Sequence, residues 1–472
     1  MAGVGYTFKE VWRRGRKDIY SGAVAGKATG CQVGRPFFTM SIQQAPGGAR
    51  PMDIGIRNTA KGPIAIFGAG ILGTCTALEL AERGHHVALF ERNAEPFSEA
   101  SLFNEGKLHM GFVYAADPTF RTAERMIRGG AHFLNFMRRW VPGAALHVLP
   151  ARSFDYVVHR DTMVTIPQIE AHFTRVAKTL GEVFAQRSPL DPLDASRPFW
   201  RRLTGQELSS RYDPALVAAA YETSEIAVDV WELAKHLRAA LRSHPRIELI
   251  TNARVITARN RADGGHEVVY ETQGRESVMS VAAVVNASWT NRPAIDGRYG
   301  LTSRNACLIR RKLGVNLQCG RQPADLPSLT IVLGPFGDVV AYHGGRVYLS
   351  WYPVCMVGTG NGAEETDWNA ELAKVDKEAI RRQTIDALAR ICPAVGKLEA
   401  TASPEVVVNG GSIFALGKTD IDDPASQLHE RLDMGFGGRG NYLSVDTAKF
   451  SLGPAMALQT ADRITALVGA PA

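Results

Sequence analysis

Paired cysteines are missing from this sequence. The six it contains (Cys31, Cys75, Cys307, Cys319, Cys355 and Cys392) are scattered, with no C-x-x-C and no metal-ligand pairing. That argues against a disulfide framework and a zinc site, and fits a reducing compartment. A membrane-length apolar run is missing too. Gly62 to Leu78 is uncharged, but it is 17 residues long and broken by four glycines; a span needs roughly 20 apolar residues. Excess charge on the body of the chain is also absent. The net charge is +7, of which residues 1–60 carry +6 from nine Lys/Arg against three Asp/Glu, leaving +1 for the other 412 residues. A nucleic-acid groove needs its charge on the folded body, so no nucleic-acid partner is expected. No repeat or low-complexity tract stands out.

What remains is ordinary globular protein. Apolar residues make up 45% and charged residues 21% of 472 positions, and this length suggests two or three compact units. Residues 1–60 stand apart, with Arg13-Arg14-x-Arg16-Lys17 and no apolar periodicity. They are expected to be a disordered or extraneous extension, with initiation at Met40 or Met52 open. A targeting segment fits less well, because Glu10 and Asp18 interrupt it and no apolar h-region exists. A docked arm, or one that rests on anionic lipid, is the third reading.

The strongest signal begins at Pro63. Ile64-Ala65-Ile66-Phe67 suits a buried parallel strand. Gly68-Ala69-Gly70-Ile71-Leu72-Gly73 follows as an unbroken G-x-G-x-x-G, then a helix from Thr74 to Arg83 stopped at Gly84, then a strand from His86 to Phe90 ending at Glu91. Gly68 permits the tight turn, Gly70 lets backbone approach a pyrophosphate, and Gly73 allows close helix–strand packing. The pyrophosphate would sit on free N–H groups at the helix start, beside Ile71 and Leu72. Glu91 lies 23 residues after Gly68, where a carboxylate reaches an adenosine ribose and repels a 2′-phosphate. Together these predict a Rossmann-type dinucleotide site.

The fingerprint does not separate FAD from NAD. The following segment, Ser98 to Tyr114, contains Asn104-x-Gly106-x-x-His109-x-Gly111-x-x-Tyr114 and Lys107-Leu108-His109. It resembles the D-amino-acid-oxidase-like superfamily of FAD enzymes, nearest to L-2-hydroxyglutarate oxidases and glycerol-3-phosphate dehydrogenases. Glu222 to Leu241, Val255, and Ala282 to Trp289 resemble that superfamily's later FAD-contacting stretches, and the likeness runs in order over about 62–465. It implies FAD binding by Gly68, Gly70, Ile71, Leu72, Gly73, Glu91, Arg92, Ser101, Asn104, Gly106, Lys107, Val255, Ala287 and Ser288. It adds the glycine-rich turn before the last helix, with Gly438, Asn441 and Tyr442. That helix is expected from Ala448 to Val468, capped by Asp446 or Thr447, with Lys449 adding positive charge at the flavin. No cysteine is placed for covalent attachment, so the FAD is expected to be non-covalent.

Short alternating strands between 300 and 355, together with 150–166, suggest an antiparallel sheet laid over the flavin. The expected fold is therefore α/β, a Rossmann-type FAD-binding domain (61–150, 215–300, 400–470) with an antiparallel-sheet substrate domain (151–214, 301–399). His109 is the first candidate for a base, since imidazole titrates in the useful range; His343 is a weaker one. A substrate carboxylate or phosphate calls for arginine, and Arg310, Arg311 and Arg346 are eligible, with Arg311 and Arg346 taken forward beside Tyr352; Tyr342 could also bond substrate. Three functions are carried: FAD-dependent oxidation of a small polar CH–OH compound such as a 2-hydroxy acid, CH–NH oxidation of an amino acid or amine, and FAD binding without catalysis. The acceptor, oxygen or quinone, stays open, and a cytoplasmic setting with at most peripheral membrane contact is expected.

Overall fold

The computed structural model describes residues 62–143, 154–185, 198–301, 306–361, 370, 372–400, 402–421, 423, 425–430 and 434–469. The readings made for residues 1–60 and for Cys31 lie outside these. The body of the fold is one unit, Asn58–Ala472.

The first strand, Ile64–Phe67, is buried at every position. It runs parallel between Val87–Phe90 and Ala283–Asn286. Ile247–Ile250 and Tyr442–Asp446 extend the parallel set, and Gly435–Arg439 closes it as an antiparallel edge. Because side chains alternate across a strand, the two faces build different cores. Ile64, Ile66, Val87 and Leu89 pack with the helices Ile71–Glu82, Val230–Ser243 and Gly453–Val468. Ala65, Phe67, Ala88 and Phe90 pack against a three-stranded antiparallel sheet made of Ala253–Asn260, His266–Thr272 and Arg275–Val281. With both faces covered, the strands read as continuous apolar runs rather than alternating ones.

The second layer is a nine-stranded sheet. Its long spine, Cys307–Cys319, pairs antiparallel with Ala402–Leu416, Arg346–Trp351 and Met356–Asn361. One pair departs from the antiparallel expectation: Ser328–Val332 runs parallel to Phe154–His159. Two strands also cross the expected domain borders. Val217–Thr223 pairs with Phe154–His159, and Ala402–Leu416 with the spine, so both belong to the large sheet. The layers touch directly. A Cβ on Gly411 would lie 2.3 Å from the Ala100 Cα, and Trp289 Nε1 donates to Ser412 O at 2.7 Å.

Element ends shift slightly from expectation. The fingerprint helix starts at Ile71, immediately after Gly70. The last helix starts at Gly453, behind a 3-10 turn at Phe450–Leu452, and has no side-chain cap. Asp446 instead accepts from Ala448 N at 2.8 Å and pairs with Arg292 at 2.8 Å. A Cβ on Gly453 would meet Ile71 Cγ1 at 2.5 Å, so glycine is what lets this helix start against the fingerprint helix.

Candidate active site

A cavity opens at the C-terminal ends of the parallel strands, where open α/β sheets place ligands. Of the residues expected from sequence, Gly68, Gly70, Ile71, Leu72, Glu91, Arg92, Ser101, Asn104, Lys107, His109, Val255, Ala287, Ser288, Tyr352 and Lys449 line it together.

The fingerprint loop is built for close approach. Gly68 has φ +90°, and a Cβ there would lie 2.9 Å from Ser288 Cα. Gly70 is the helix N-cap with extended backbone, no side-chain cap and no acid in the first turn. Ser101 Oγ accepts from Ile71 N at 2.9 Å. Glu91 Oε2 accepts from Ala69 N at 2.9 Å and Oε1 from Asn93 N at 2.9 Å. Burial raises the Glu91 pKa, against those backbone donors. Asn104 shapes its own loop, accepting from Gly106 N at 2.7 Å and donating to Ala100 O at 2.8 Å. Trp289 and Ala448, both with positive φ (55° and 51°), also border the cavity. Such strain tends to gather at ligand clamps.

Other expected residues lie elsewhere. Gly73 sits behind the loop, and its Cβ would fall 1.8 Å from Gly68 O; its part is packing, not contact. Gly106, at φ +60°, lies with its Cβ position 2.0 Å from Val228 O. Gly438, Asn441 and Tyr442 are displaced for a topological reason. Gly438 and Asn441 precede the strand Tyr442–Asp446 and Tyr442 opens it, so all three lie at the N-terminal end of the sheet, opposite the cavity. Tyr442 stacks on Tyr299 at 3.9 Å and donates to Asp296 at 2.9 Å, while Asn441 Nδ2 donates to Gly264 O at 2.9 Å. Arg311 lines neither this cavity nor a second one beside it, whereas Lys312, on the other side of the same strand, faces this one, and Arg310 faces the second. Arg346 is buried in an ion pair with Asp229, which caps the helix Val230–Ser243, and stacks over Trp231 at 4.8 Å. Arg346→Met is expected to destabilise by about 3–5 kcal/mol by stranding that carboxylate, as read by urea unfolding; an unchanged midpoint would count against a structural pair. His343 is exposed at a turn. Tyr342 is buried, its hydroxyl donating to Glu105 O at 3.0 Å.

A second cavity adjoins the first, with about half its volume, 140 against 270 Å³. Glu105, Lys107, His109, Lys312, Tyr352 and Lys449 line both. Here lie the residues that sequence reasoning missed. Lys312 lines both cavities and Asp338 the smaller one; Arg310, an eligible arginine from the sequence, also lines the smaller one and pairs with Asp420 at 3.0 Å. Asp338 is held by Lys107 at 3.0 Å, Thr330 at 2.8 Å and Lys312 at 3.6 Å. Burial works against each charge and is outweighed, at Lys107 and Asp338 by their mutual attraction and at Lys312 by Tyr348 and Tyr352 together with Asp338. Lys107 and Lys312 have raised pKa values and Asp338 a lowered one, so all three stay ionised. Glu225, fully buried, completes the cluster behind His109, with its Oε1 3.9 Å from Nδ1. Alternation along the strand containing Lys312 could have flagged its facing; nothing local flagged Glu225.

The sequence model of the family described as FAD dependent oxidoreductase (DAO) matches residues 63–461. The chain belongs to this family. Among curated relatives it is 34% identical over 144 residues to the tRNA 5-methylaminomethyl-2-thiouridine biosynthesis bifunctional protein MnmC of Pseudomonas entomophila, covering 29% of this chain and 18% of that protein. It is 41% identical over 49 residues to a D-amino acid dehydrogenase of Rhizobium rhizogenes, covering 10% and 12%. The chain thus spans under a fifth of the length of these relatives. The fold resembles L-alpha-glycerophosphate oxidase from Mycoplasma pneumoniae with FAD bound (TM-score 0.62, 15% identity, 85% of this chain and 94% of that one). It also resembles glycine oxidase from Geobacillus kaustophilus (TM-score 0.58, 17% identity, 86% and 95%). FAD is the cofactor of this family, and the cavity fits it: a helix start with no acid in its first turn, a glycine where a Cβ would intrude, and a carboxylate after the second strand.

Proposed function

We propose that the protein oxidises a small anionic substrate at a CH–OH carbon, a 2-hydroxy acid being the best match, with non-covalently held FAD. The observation that carries this reading is the pair of buried, ionised lysines, Lys107 and Lys312, beside His109 at the junction of two cavities. Lys107 is engaged by Asp338 and Thr330, but Lys312 stands 3.6 Å from Asp338, beyond a hydrogen bond, and keeps donors for a substrate carboxylate; the small second cavity suits a small molecule. When bound, FAD supplies a two-electron hydride acceptor.

The chain's own residues would do the rest. Gly68, Gly70 and the helix start at Ile71 would hold the pyrophosphate, and Glu91 would hold the ribose. Lys312, stacked 4.3 Å over the Tyr352 ring, holds the substrate anion. With Nδ1 turned toward Glu225, His109 Nε2 takes the hydroxyl proton as the C–H electron pair leaves with hydride. No described cysteine lines the cavity, which supports non-covalent binding; flavin released into the supernatant by acid precipitation is the expected result, and a yellow pellet would contradict it. The described residues contain no helix long and apolar enough to cross a membrane.

The test is anaerobic titration of purified holoprotein with 2-hydroxy acids, polyol phosphates and amino acids while flavin absorbance is followed. Bleaching by hydroxy acids supports the reading, and bleaching only by amino acids or amines would replace it with CH–NH oxidation. That second reading is favoured by the D-amino acid dehydrogenase match. A holoprotein that no class bleaches would leave only FAD binding.

A further inference from the structure

We infer that Glu225 is the positioning residue for His109, a fixed anion that sets the orientation and charge of its imidazole during proton transfer. The inference rests on the proposed role of His109 and extends it to a residue more than a hundred positions away.

The backbone fixes the pairing. Lys107–Leu108 and Ile226–Ala227 form a two-stranded antiparallel ladder in which Leu108 faces Ile226 and Lys107 faces Ala227. Continuing that register by one residue brings His109 opposite Glu225. Two backbone-linked bonds hold Glu225 in place: its carbonyl accepts from Phe154 N at 3.2 Å, and its Oε2 accepts from Met110 N at 2.8 Å. Its other oxygen, Oε1, accepts from Tyr156 Oη at 2.5 Å and lies 3.9 Å from His109 Nδ1.

This carboxylate lies within reach of the charge on the Lys107 ammonium. It is wholly buried, and burying a lone carboxylate is costly. Both oxygens accept hydrogen bonds, an arrangement that suits the ionised form. Burial raises its pKa, while Lys107, the Tyr156 hydroxyl and Met110 N oppose that rise. The other ionisable groups around the imidazole come from every neighbouring element. Glu105 and Lys107 lie on its own segment, Tyr114 on the next turn, Lys312 and Asp338 on the large sheet, Tyr352 at the start of the short helix Tyr352–Cys355, and Lys449 before the last helix. Lysines face the site from three sides, so an imidazolium formed by taking a substrate proton needs a nearby counter-charge. Asp338 is already shared between Lys107 and Lys312. Glu225 comes within ion-pairing distance of the ring, 3.9 Å from Nδ1.

The experiment is a pH titration of histidine ring resonances in 13C-histidine-labelled holoenzyme, with His109 assigned by its loss in His109→Asn. An opposite charge at this distance shifts a titration by about one to three pH units, so Glu225→Gln is expected to lower the His109 midpoint by about one unit or more. Glu225→Asp, which keeps the charge, is expected to restore most of it and serves if the glutamine variant folds poorly. In turnover, Glu225→Gln is expected to lower kcat by about ten-fold or more with little change in KM. An unchanged His109 midpoint in Glu225→Gln, or a midpoint in Glu225→Asp shifted as far as in Gln, overturns the inference. Full activity in His109→Asn would instead overturn His109 as base, whatever the midpoints do.

Discussion

Gly73→Ala is expected to purify colourless, with a lowered melting temperature. The added Cβ would stand 1.8 Å from Gly68 O and 3.0 Å from Gly68 C. Both are backbone atoms of the turn that faces the pyrophosphate, so relief requires moving the turn itself. Over-packing of this kind costs about 1–3 kcal/mol when side chains can yield, and here they cannot. Gly70→Ala gives the contrast. Its Cβ would meet only Ser101 Oγ, at 3.0 Å, a side-chain atom that can shift by a few tenths of an ångström while keeping its bond from Ile71 N. Its melting temperature without cofactor is therefore expected near wild type, while FAD affinity falls because the methyl enters the space the pyrophosphate would occupy. The measurement is the ratio of flavin to protein absorbance, followed by FAD titration of the apoproteins. Gly73→Ala that retains stoichiometric FAD would sink the packing argument.

His109→Asn is expected to keep FAD and lose turnover by about 10²–10⁴-fold, the usual contribution of a general base. The ring is buried, with 6% of the side chain exposed, and borders both cavities. Asparagine is smaller and polar, so the cofactor cavity should survive. Single-turnover anaerobic reduction separates the possibilities. Slow bleaching with an unchanged flavin spectrum supports a base; an unchanged rate removes His109 from the chemistry; lost flavin assigns it to cofactor packing instead.

The sequence by itself determined the nucleotide-binding unit. Strand, glycine loop, helix and second strand are contiguous, and each residue's reason is local: a positive φ at Gly68, a missing Cβ at Gly73, an acid one strand later. Contiguity also made the loop from Ser101 to His109 legible. Tertiary structure decided what local rules cannot reach. Arg311 and Arg310 look alike in sequence, but strand alternation faces Arg310 and Lys312 inward. Arg346 reads as a free arginine until the fold pairs it with Asp229. The Gly438–Tyr442 turn has the composition of a phosphate loop, yet strand direction puts it at the wrong end of a parallel sheet. Glu225 meets His109 only because one short ladder sets the register of two distant segments. Backbone conformation is a property of neighbours in the chain, whereas the facing and pairing of charges are properties of the packed fold.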